Sequence, residues 1–307
     1  ELTGRRIDMH VQLSFGLIQH QAARLLFSQC AHARSFGHCI LETPIDRTAA
    51  RNRLKHQGVD AVKIAAMNLL LDRSLERRRK EFEALRGKWD GQPRLRIWLR
   101  RCCLEEDEWD DEAPLQQYLA RVGTWLVMAI CARVLTPGCK FDYMVIFEGG
   151  QGVGKSTLAR LLGGDYFADT GLVLGDKDSY QNLQGVLVYE WGELDSLTKA
   201  EVTKVKQFIS SMKDRFRASF DRRAKDYPRQ VVFIGTTNED HYLVDPTGNR
   251  RMWPVRVTRQ IDIEWFSAQR DQLVAEGLHY YESGQRFHPT TREQREQIRG
   301  EIRAVEV

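Results

Sequence analysis

The sequence has few of the features that mark membrane-bound or disulfide-stabilised proteins. No apolar run approaches the roughly 18 residues that a membrane-spanning helix needs, and no signal-peptide pattern opens the chain. The six cysteines are irregularly spaced, so an oxidising compartment is not indicated. The formal net charge is only +4, which permits nucleic-acid binding without arguing for it. We therefore expect a folded, water-soluble protein whose partners must be inferred from where its charges lie.

One group of cysteines and histidines has the side chains that a zinc site needs: Cys30, His32, His38 and Cys39. Its spacing differs from that of the common structural zinc sites, and two adjacent ligands fit a tetrahedral centre poorly. The favoured interpretation is ordinary core or surface residues, with zinc as the alternative.

The 307 residues suffice for one large domain or two modest ones. Because the chain begins with Glu1 rather than Met, we expect it to be a piece of a longer protein. Apolar residues at helical spacing predict a mostly helical region before about residue 85, a long helix over 115–130 and a last helix over 263–281. From residue 141, short apolar runs alternate with helical stretches, which predicts an α/β fold with a mostly parallel sheet.

The most informative pattern lies at residues 149–156, which read GGQGVGKS. An apolar strand-like segment precedes it and a helix-like segment follows, so strand, glycine-rich loop and helix predict a phosphate cradle. Lys155 would reach the β- and γ-phosphates of ATP, and the Ser156 hydroxyl would hold Mg²⁺. A plain glycine-rich turn is the alternative. The residues predicted to bind the nucleotide are Gly149, Gly150, Gln151, Gly152, Val153, Gly154, Lys155, Ser156 and Thr157.

The segment 186–193, VLVYEWGE, predicts a buried strand that ends in acids. A carboxylate at the tip of such a strand can hold Mg²⁺, and a second one can polarise the attacking water. Glu190 is predicted for the metal together with Ser156, and Glu193 for the water, with an exchange of the two roles left open. The alternative is two surface glutamates in a turn.

Two further segments carry polar side chains beside predicted strands. The strand over 231–235 leads to Asn238, which would touch the γ-phosphate or the water; this strand should lie between the cradle strand and the acidic strand. The turn DPTGNRR at 245–251 presents Arg250 and Arg251 before another strand. Either arginine could neutralise charge on the leaving phosphate, one of them in a neighbouring subunit. The alternatives are a turn-capping asparagine and surface arginines.

A basic stretch with interleaved aromatic residues lies between the acidic strand and the Asn238 strand. Lysine and arginine neutralise phosphates, and aromatic rings stack on bases, so this stretch predicts binding to single-stranded nucleic acid. The residues predicted to contact it are Arg217, Arg222, Arg223 and Lys225. The alternative is a solvated helix with an inter-subunit surface. A second basic run, at 77–80, is interpreted as a solvated helix face, with nucleic-acid contact as its alternative.

Several segments together resemble the virulence-associated protein E family over about residues 85–284. They are the cradle, the stretch 121–140, KWDG at 88–91, FDYM at 141–144, DKD at 176–178, EWGELD at 190–195, YPRQ at 227–230, GTTN at 235–238 and DPTGNRR at 245–251. Members are phage- and island-encoded replication proteins whose ATPase part is similar to superfamily 3 helicases of the AAA+ class, often after an N-terminal primase. Trp191 departs from the family's pattern, where a small aliphatic residue is expected, and the acidic motif lacks two adjacent acids.

The resemblance implies a P-loop AAA+ ATPase domain over 108–260, between a helical region of unknown role over 1–107 and a C-terminal helical segment over 261–307. It also implies a hexameric ring, a channel hairpin that grips single-stranded DNA, a primase outside this chain, and a cytoplasmic location in a bacterial or phage-infected cell. The function expected is a Mg²⁺-dependent ATPase motor, a DNA helicase in replication of a mobile element. Two alternatives stay open: a nucleotide-switched initiator or loader that does not unwind DNA, and an assembly or defence ATPase independent of nucleic acid.

Overall fold

A computed structural model describes residues 73–105, 113–192, 194, 198–217, 223–238 and 251–305. The chain from residue 74 onward belongs to one compact unit, Ser74–Ala218 with Arg223–Val307. The cysteine–histidine group at 30–39 and most of the predicted N-terminal helical region lie outside the described residues.

The described residues form eight α-helices and seven strands. The helices are α1 (73–83), α2 (Trp98–Cys103), α3 (Pro114–Leu135), α4 (Lys155–Gly163), α5 (Lys177–Asn182), α6 (Lys199–Ile209), α7 (Ile263–Glu282) and α8 (Arg292–Val305). The strands are β1 (Met144–Glu148), β2 (Phe167–Ala168), β3 (Val188–Trp191), β4 (Lys213–Phe216), β5 (Lys225–Pro228), β6 (Val232–Thr237) and β7 (Met252–Arg256).

Five strands form a parallel sheet in the order β2-β3-β6-β1-β7. The predicted α/β class with a mostly parallel sheet is therefore confirmed. β6 lies between β1 and β3, as the sequence predicted for the strand that leads to Asn238. Because parallel strands point the same way, the loops after β1, β3 and β6 all leave the sheet at the edge formed by the carboxyl ends of the strands.

Both faces of the sheet are covered, which is why its central strands consist of nearly continuous apolar residues. Successive side chains of β1 alternate between two cores, as strand geometry requires. Val145 and Phe147 belong to the core that contains residues of α3, α4 and α7, whereas Met144 and Ile146 belong to the core that contains residues of α6. The cradle strand is thus fixed from both sides.

The long helix α3 ends just before Pro137 and Gly138, as predicted. It packs along α7, where a Cβ on Gly277 would lie 3.0 Å from Val127 Cγ1 and 3.2 Å from Cys131 Sγ, so a side chain there would require these neighbours to shift. By length and composition α3 is the one helix in the described residues that could cross a membrane, but 72% of its most apolar window is buried in the protein. That burial is typical of the core helix of a globular domain.

β4 and β5 pair antiparallel outside the main sheet, with Phe216 opposite Lys225 at the distal end. They form a hairpin inserted between α6 and β6. The loop at its tip, 218–222, lies outside the described residues. The predicted basic stretch is therefore built on two strands as well as on α6.

The basic run at 77–80 is only partly a solvated face, so that interpretation was wrong for Arg78. This side chain is 2% exposed, donates to the Gly185 carbonyl at 3.0 Å and to the Gln230 side-chain oxygen, and lies 5.2 Å from the centre of the Tyr166 ring. The acceptors are more than a hundred residues away in sequence, so no local pattern could reveal the burial.

Candidate active site

The glycine-rich loop leaves β1 at the sheet edge described above and leads directly into α4. Two of its glycines are required by backbone geometry. Gly149 has φ 156°, and a Cβ there would lie 2.7 Å from the Val257 carbonyl oxygen. Gly152 has φ 85°, in the left-handed region that other residues rarely adopt. The loop can therefore fold back against β7 and still open towards the cavity.

Lys155 begins α4 and points back into the loop. Its ammonium group donates to the Gly149 carbonyl at 2.5 Å, the Gly150 carbonyl at 2.7 Å and the Asn238 Oδ1 at 3.1 Å. Burial lowers the pKa of Lys155, and the nearby Glu190 carboxylate opposes that shift. Among the described residues the ammonium donates to neutral oxygens, and such a cation suits an anionic ligand because phosphate oxygens would bind it more strongly.

Beside Lys155, three side chains from different elements meet at the Glu190 carboxylate. Ser156 Oγ donates to Glu190 Oε1 at 2.5 Å, and Thr236 Oγ1 donates to the same oxygen at 2.8 Å. Glu190 is only 5% exposed, so these two hydroxyls stabilise a carboxylate that has lost most of its hydration. The structure therefore brings together the serine and the glutamate that the sequence predicted for one metal ion.

A cavity of about 410 Å³ opens between these groups. Its volume lies in the usual range of about 300–1,000 Å³ for small-molecule sites. The residues that line it are Gln151, Gly152, Gly154, Lys155, Ser156, Thr157, Glu190, Gly192, Thr236, Thr237 and Asn238. Most of the residues predicted from the cradle pattern thus share one cavity with Glu190 and Asn238.

Thr236 and Thr237 were not among the predicted site residues. A signal for them is present in the sequence, because two hydroxyl side chains directly precede Asn238 at the end of an apolar strand. What the sequence could not show is the direction of each side chain. That direction depends on the pairing of β6 with β3, which sets Gly235 beside Trp191.

Arg251 lies at the edge where the parallel strands begin, whereas the cradle of its own chain lies at the edge where they end. It directly precedes β7, whose first residue pairs with Met144 at the start of β1, and it donates to the Lys206 carbonyl at 2.9 Å. Four residue steps along β1 separate that edge from Glu148, roughly 13 Å at about 3.3 Å per residue. The structure does not bring Arg251 together with Lys155 and Glu190. Glu193 and Arg250 lie outside the described residues.

Three of the four predicted nucleic-acid residues are described, and all three are exposed: Arg217, Arg223 and Lys225. They flank the hairpin tip, and Arg222 lies outside the described residues. Further down the hairpin, the Asp226 carboxylate accepts from Lys213 at 2.5 Å and from Arg215 at 3.2 Å. Lys213 and Arg215 thus share one carboxylate, and the three exposed cations named above lie nearer the tip.

Two members of the basic stretch do not belong to a nucleic-acid face, because both are buried. Arg229 is 2% exposed and forms a bidentate ion pair with Asp214, and Lys206 is also buried. Phe216 is buried too, with its ring stacked 4.4 Å from that of Tyr227. Arg229 also donates to the Phe208 carbonyl, which fixes the root of the hairpin to the core.

A family model for the virulence-associated protein E-like domain matches residues 82–306, well over half of the chain. The chain belongs to the virulence-associated protein E-like family. The resemblance predicted from the motifs is thereby confirmed. Among curated proteins, no sequence matches the chain.

Solved structures of the C-terminal region of NrS-1 in its apo form are similar at low identity. One is 16% identical, with a TM-score of 0.40, and the match covers 68% of this chain and 49% of that chain. Another is 16% identical, with a TM-score of 0.36, and covers 59% of this chain and 46% of that chain. This chain thus spans about half the length of these solved structures, and likenesses at this level carry no functional inference.

Trp191, which departs from the family's usual pattern, has a packing role in this member. Its ring lies edge-on to those of Tyr189, at 6.0 Å, and Phe208, at 6.4 Å. It therefore fills space between β3 and α6. Because successive side chains of a strand point to opposite faces, the neighbouring Glu190 points into the cavity.

Proposed function

We propose that this protein is a Mg²⁺-dependent ATPase motor of the AAA+ type that moves along single-stranded DNA during replication of a phage or other mobile element. The observation that carries the proposal is the meeting of Lys155, Ser156, Glu190 and Asn238 around one cavity. These residues come from three separate segments, so a coincidental glycine-rich turn does not account for them.

The strand order supports the AAA+ assignment. A cradle after the first strand, an acidic strand two positions away and an intervening strand that ends in a polar residue together make a site for phosphoryl transfer. The intervening strand β6 brings Asn238 within 3.1 Å of Lys155. A plain dinucleotide-binding fold would not need this third polar group beside the lysine.

The residues present fit ATP. The loop offers backbone N–H groups at the start of α4, where the helix dipole favours anions. Lys155 would exchange the carbonyls of Gly149 and Gly150 for phosphate oxygens. Asn238 would then lie next to the terminal phosphate.

The residues present also fit Mg²⁺, which binds through one or two carboxylates together with substrate phosphates and water. In the described residues, no group of three or more acids, histidines or cysteines could hold a metal by itself. Ser156 can keep donating to Glu190 while its lone pairs face a metal. When bound, the ion would neutralise charge that develops on the transferred phosphate.

Hydrolysis would depend mainly on positioning and charge neutralisation. Lys155 would hold the phosphates, Glu193 would polarise the attacking water, and Asn238 would orient the water or the phosphate. Arg250 or Arg251 would complete the site of a neighbouring subunit, because Arg251 lies at the far edge from its own cradle. A ring, hexameric by family analogy, supplies that neighbour.

The hairpin would bind single-stranded DNA through its tip. Arg217, Arg223 and Lys225 are exposed there, and the hairpin root is fixed to the core through Arg229. A rigid strand pair with cations at its end can transmit movement of the ATPase core to a phosphate backbone.

Steady-state ATP hydrolysis with and without single-stranded DNA tests the proposal, with Lys155→Ala as the blank. Hydrolysis that requires Lys155 and Mg²⁺ and rises with DNA is the expected result. Hydrolysis that is indifferent to DNA would favour an assembly ATPase. DNA-stimulated hydrolysis without strand separation would favour a loader. Absence of nucleotide binding by the wild-type protein would refute the ATPase function itself.

A further inference from the structure

The Thr236 hydroxyl lies next to the centre of the cradle but belongs to a different strand. It donates to Glu190 Oε1 at 2.8 Å, the same oxygen that accepts from Ser156 at 2.5 Å. Both Thr236 and Glu190 are almost fully buried. An ionised carboxylate only accepts hydrogen bonds, so each hydroxyl must be the donor.

We propose that Thr236 is a positioning residue that holds the Glu190 carboxylate in the orientation needed to bind Mg²⁺. The proposal rests on the proposed function, because it concerns the metal of the same site. It adds a residue whose role no cradle or acidic pattern predicts. Thr236 acts through Glu190 and needs no contact with nucleotide.

The strand geometry explains why a threonine suits this position. Gly235 pairs with Trp191, so Thr236 lies beside Gly192, directly after β3. Its hydroxyl oxygen would lie 3.9 Å from a Cβ on Gly192, an ordinary van der Waals distance, which places the hydroxyl against the end of β3. A β-branched residue also has a restricted χ1 angle, which fixes the direction of the hydroxyl.

The two hydroxyl groups that donate to Glu190 belong to different structural elements. Ser156 belongs to the glycine-rich loop and the first turn of α4, which would contact the nucleotide directly. Thr236 belongs to the central strand β6, which is buried along its whole length. The orientation of the carboxylate is therefore fixed by a hydrogen bond from the sheet as well as by one from the loop. Without Thr236, its orientation would follow the loop alone.

Binding of a fluorescent, slowly hydrolysed ATP analogue at varied Mg²⁺ concentration tests this role. For Thr236→Val, which keeps the shape and removes the hydroxyl, we expect the Mg²⁺ midpoint to rise about 10- to 100-fold, the usual cost of removing a partner behind a metal ligand. Affinity for the analogue in EDTA should stay within about twofold, because the loop and Lys155 are unchanged. Thr236→Ser should restore most of the Mg²⁺ response.

A coupled pair of variants separates positioning from a general structural role. If Thr236 acts through Glu190, Thr236→Val should have little further effect on the Mg²⁺ midpoint in a Glu190→Gln background. Mn²⁺ bound with nucleotide, followed by electron paramagnetic resonance, gives the same comparison without turnover. If Thr236→Val fails to fold, Thr236→Ala against Thr236→Ser serves instead.

The outcomes distinguish this proposal from the proposed function. A wild-type Mg²⁺ midpoint in folded Thr236→Val would overturn the role of Thr236 alone. Equal effects of Thr236→Val with and without the Glu190 change would also overturn it. A wild-type protein that binds no nucleotide, or whose nucleotide binding ignores Mg²⁺, would instead overturn the ATPase function and this role with it.

Discussion

Asp214 and Arg229 form an ion pair that is almost completely buried at the root of the β4–β5 hairpin. Arg229 also donates to the Phe208 carbonyl at the end of α6, and its own carbonyl accepts from Arg133 of α3 at 2.9 Å. The hairpin root is thus joined to two helices of the core. The hairpin is therefore expected to move with the core of the domain and not independently of it.

Removal of one partner from this pair should strongly destabilise the protein. Asp214→Ala leaves a buried guanidinium without its counter-ion, which costs about 3–5 kcal/mol in comparable cases. Urea unfolding followed by circular dichroism measures the change in the free energy of unfolding. The matched control is Asp226→Ala on the same hairpin, whose partner Lys213 is exposed, and a much smaller loss is expected there because solvent screens an exposed pair. Equal losses for the two variants would contradict the structural role of the buried pair.

The hairpin tip should supply a salt-dependent part of DNA affinity. Arg223→Ala combined with Lys225→Ala removes two exposed cations, so the slope of log affinity against log salt should fall by about 1.4 for single strands. Fluorescence anisotropy of a labelled oligonucleotide across a salt titration measures the slope. Arg292→Ala is the control, because this exposed arginine belongs to α8, outside the hairpin, and pairs with Glu296. An unchanged slope in the double variant would exclude the tip as a phosphate contact.

Asn238 should affect catalysis more than binding. Its side-chain oxygen lies 3.1 Å from the Lys155 ammonium, at the end of the cavity where a terminal phosphate would lie. Loss of one preorganised polar group at a developing charge typically costs about 10²–10³ in kcat. We expect a loss near the lower limit of this range for Asn238→Ala, with the Kd for the ATP analogue changed by less than about threefold. A large change in Kd at unchanged kcat would assign Asn238 to ground-state binding.

The sequence predicted the parts of the site that depend on local patterns. The cradle at 149–156 lies within one strand–loop–helix unit, and Glu190 follows directly from an apolar strand. The roles of Thr236 and Arg229 depend on partners across strands or on another element, so spacing along the chain carries no trace of them. For the same reason a cation count over 199–229 could not separate exposed arginines from a buried one.

Arg251 should act on the active site of a neighbouring subunit, because β7 begins at the edge opposite the cradle of its own chain. Arg251→Ala and Lys155→Ala should each lower hydrolysis strongly, the former by about 10³–10⁵ if it removes the arginine that neutralises the leaving phosphate. When the two variants are co-assembled in equal amounts, an Arg251→Ala subunit supplies an intact Lys155 site. A neighbouring Lys155→Ala subunit can then supply the intact Arg251 to that site. Random assembly in a ring should then restore about a quarter of the wild-type activity. Co-assembled mixtures that stay as inactive as the separate variants would show that Arg251 does not complete a neighbour's site, and Lys155→Ala mixed with wild type provides the control for dilution.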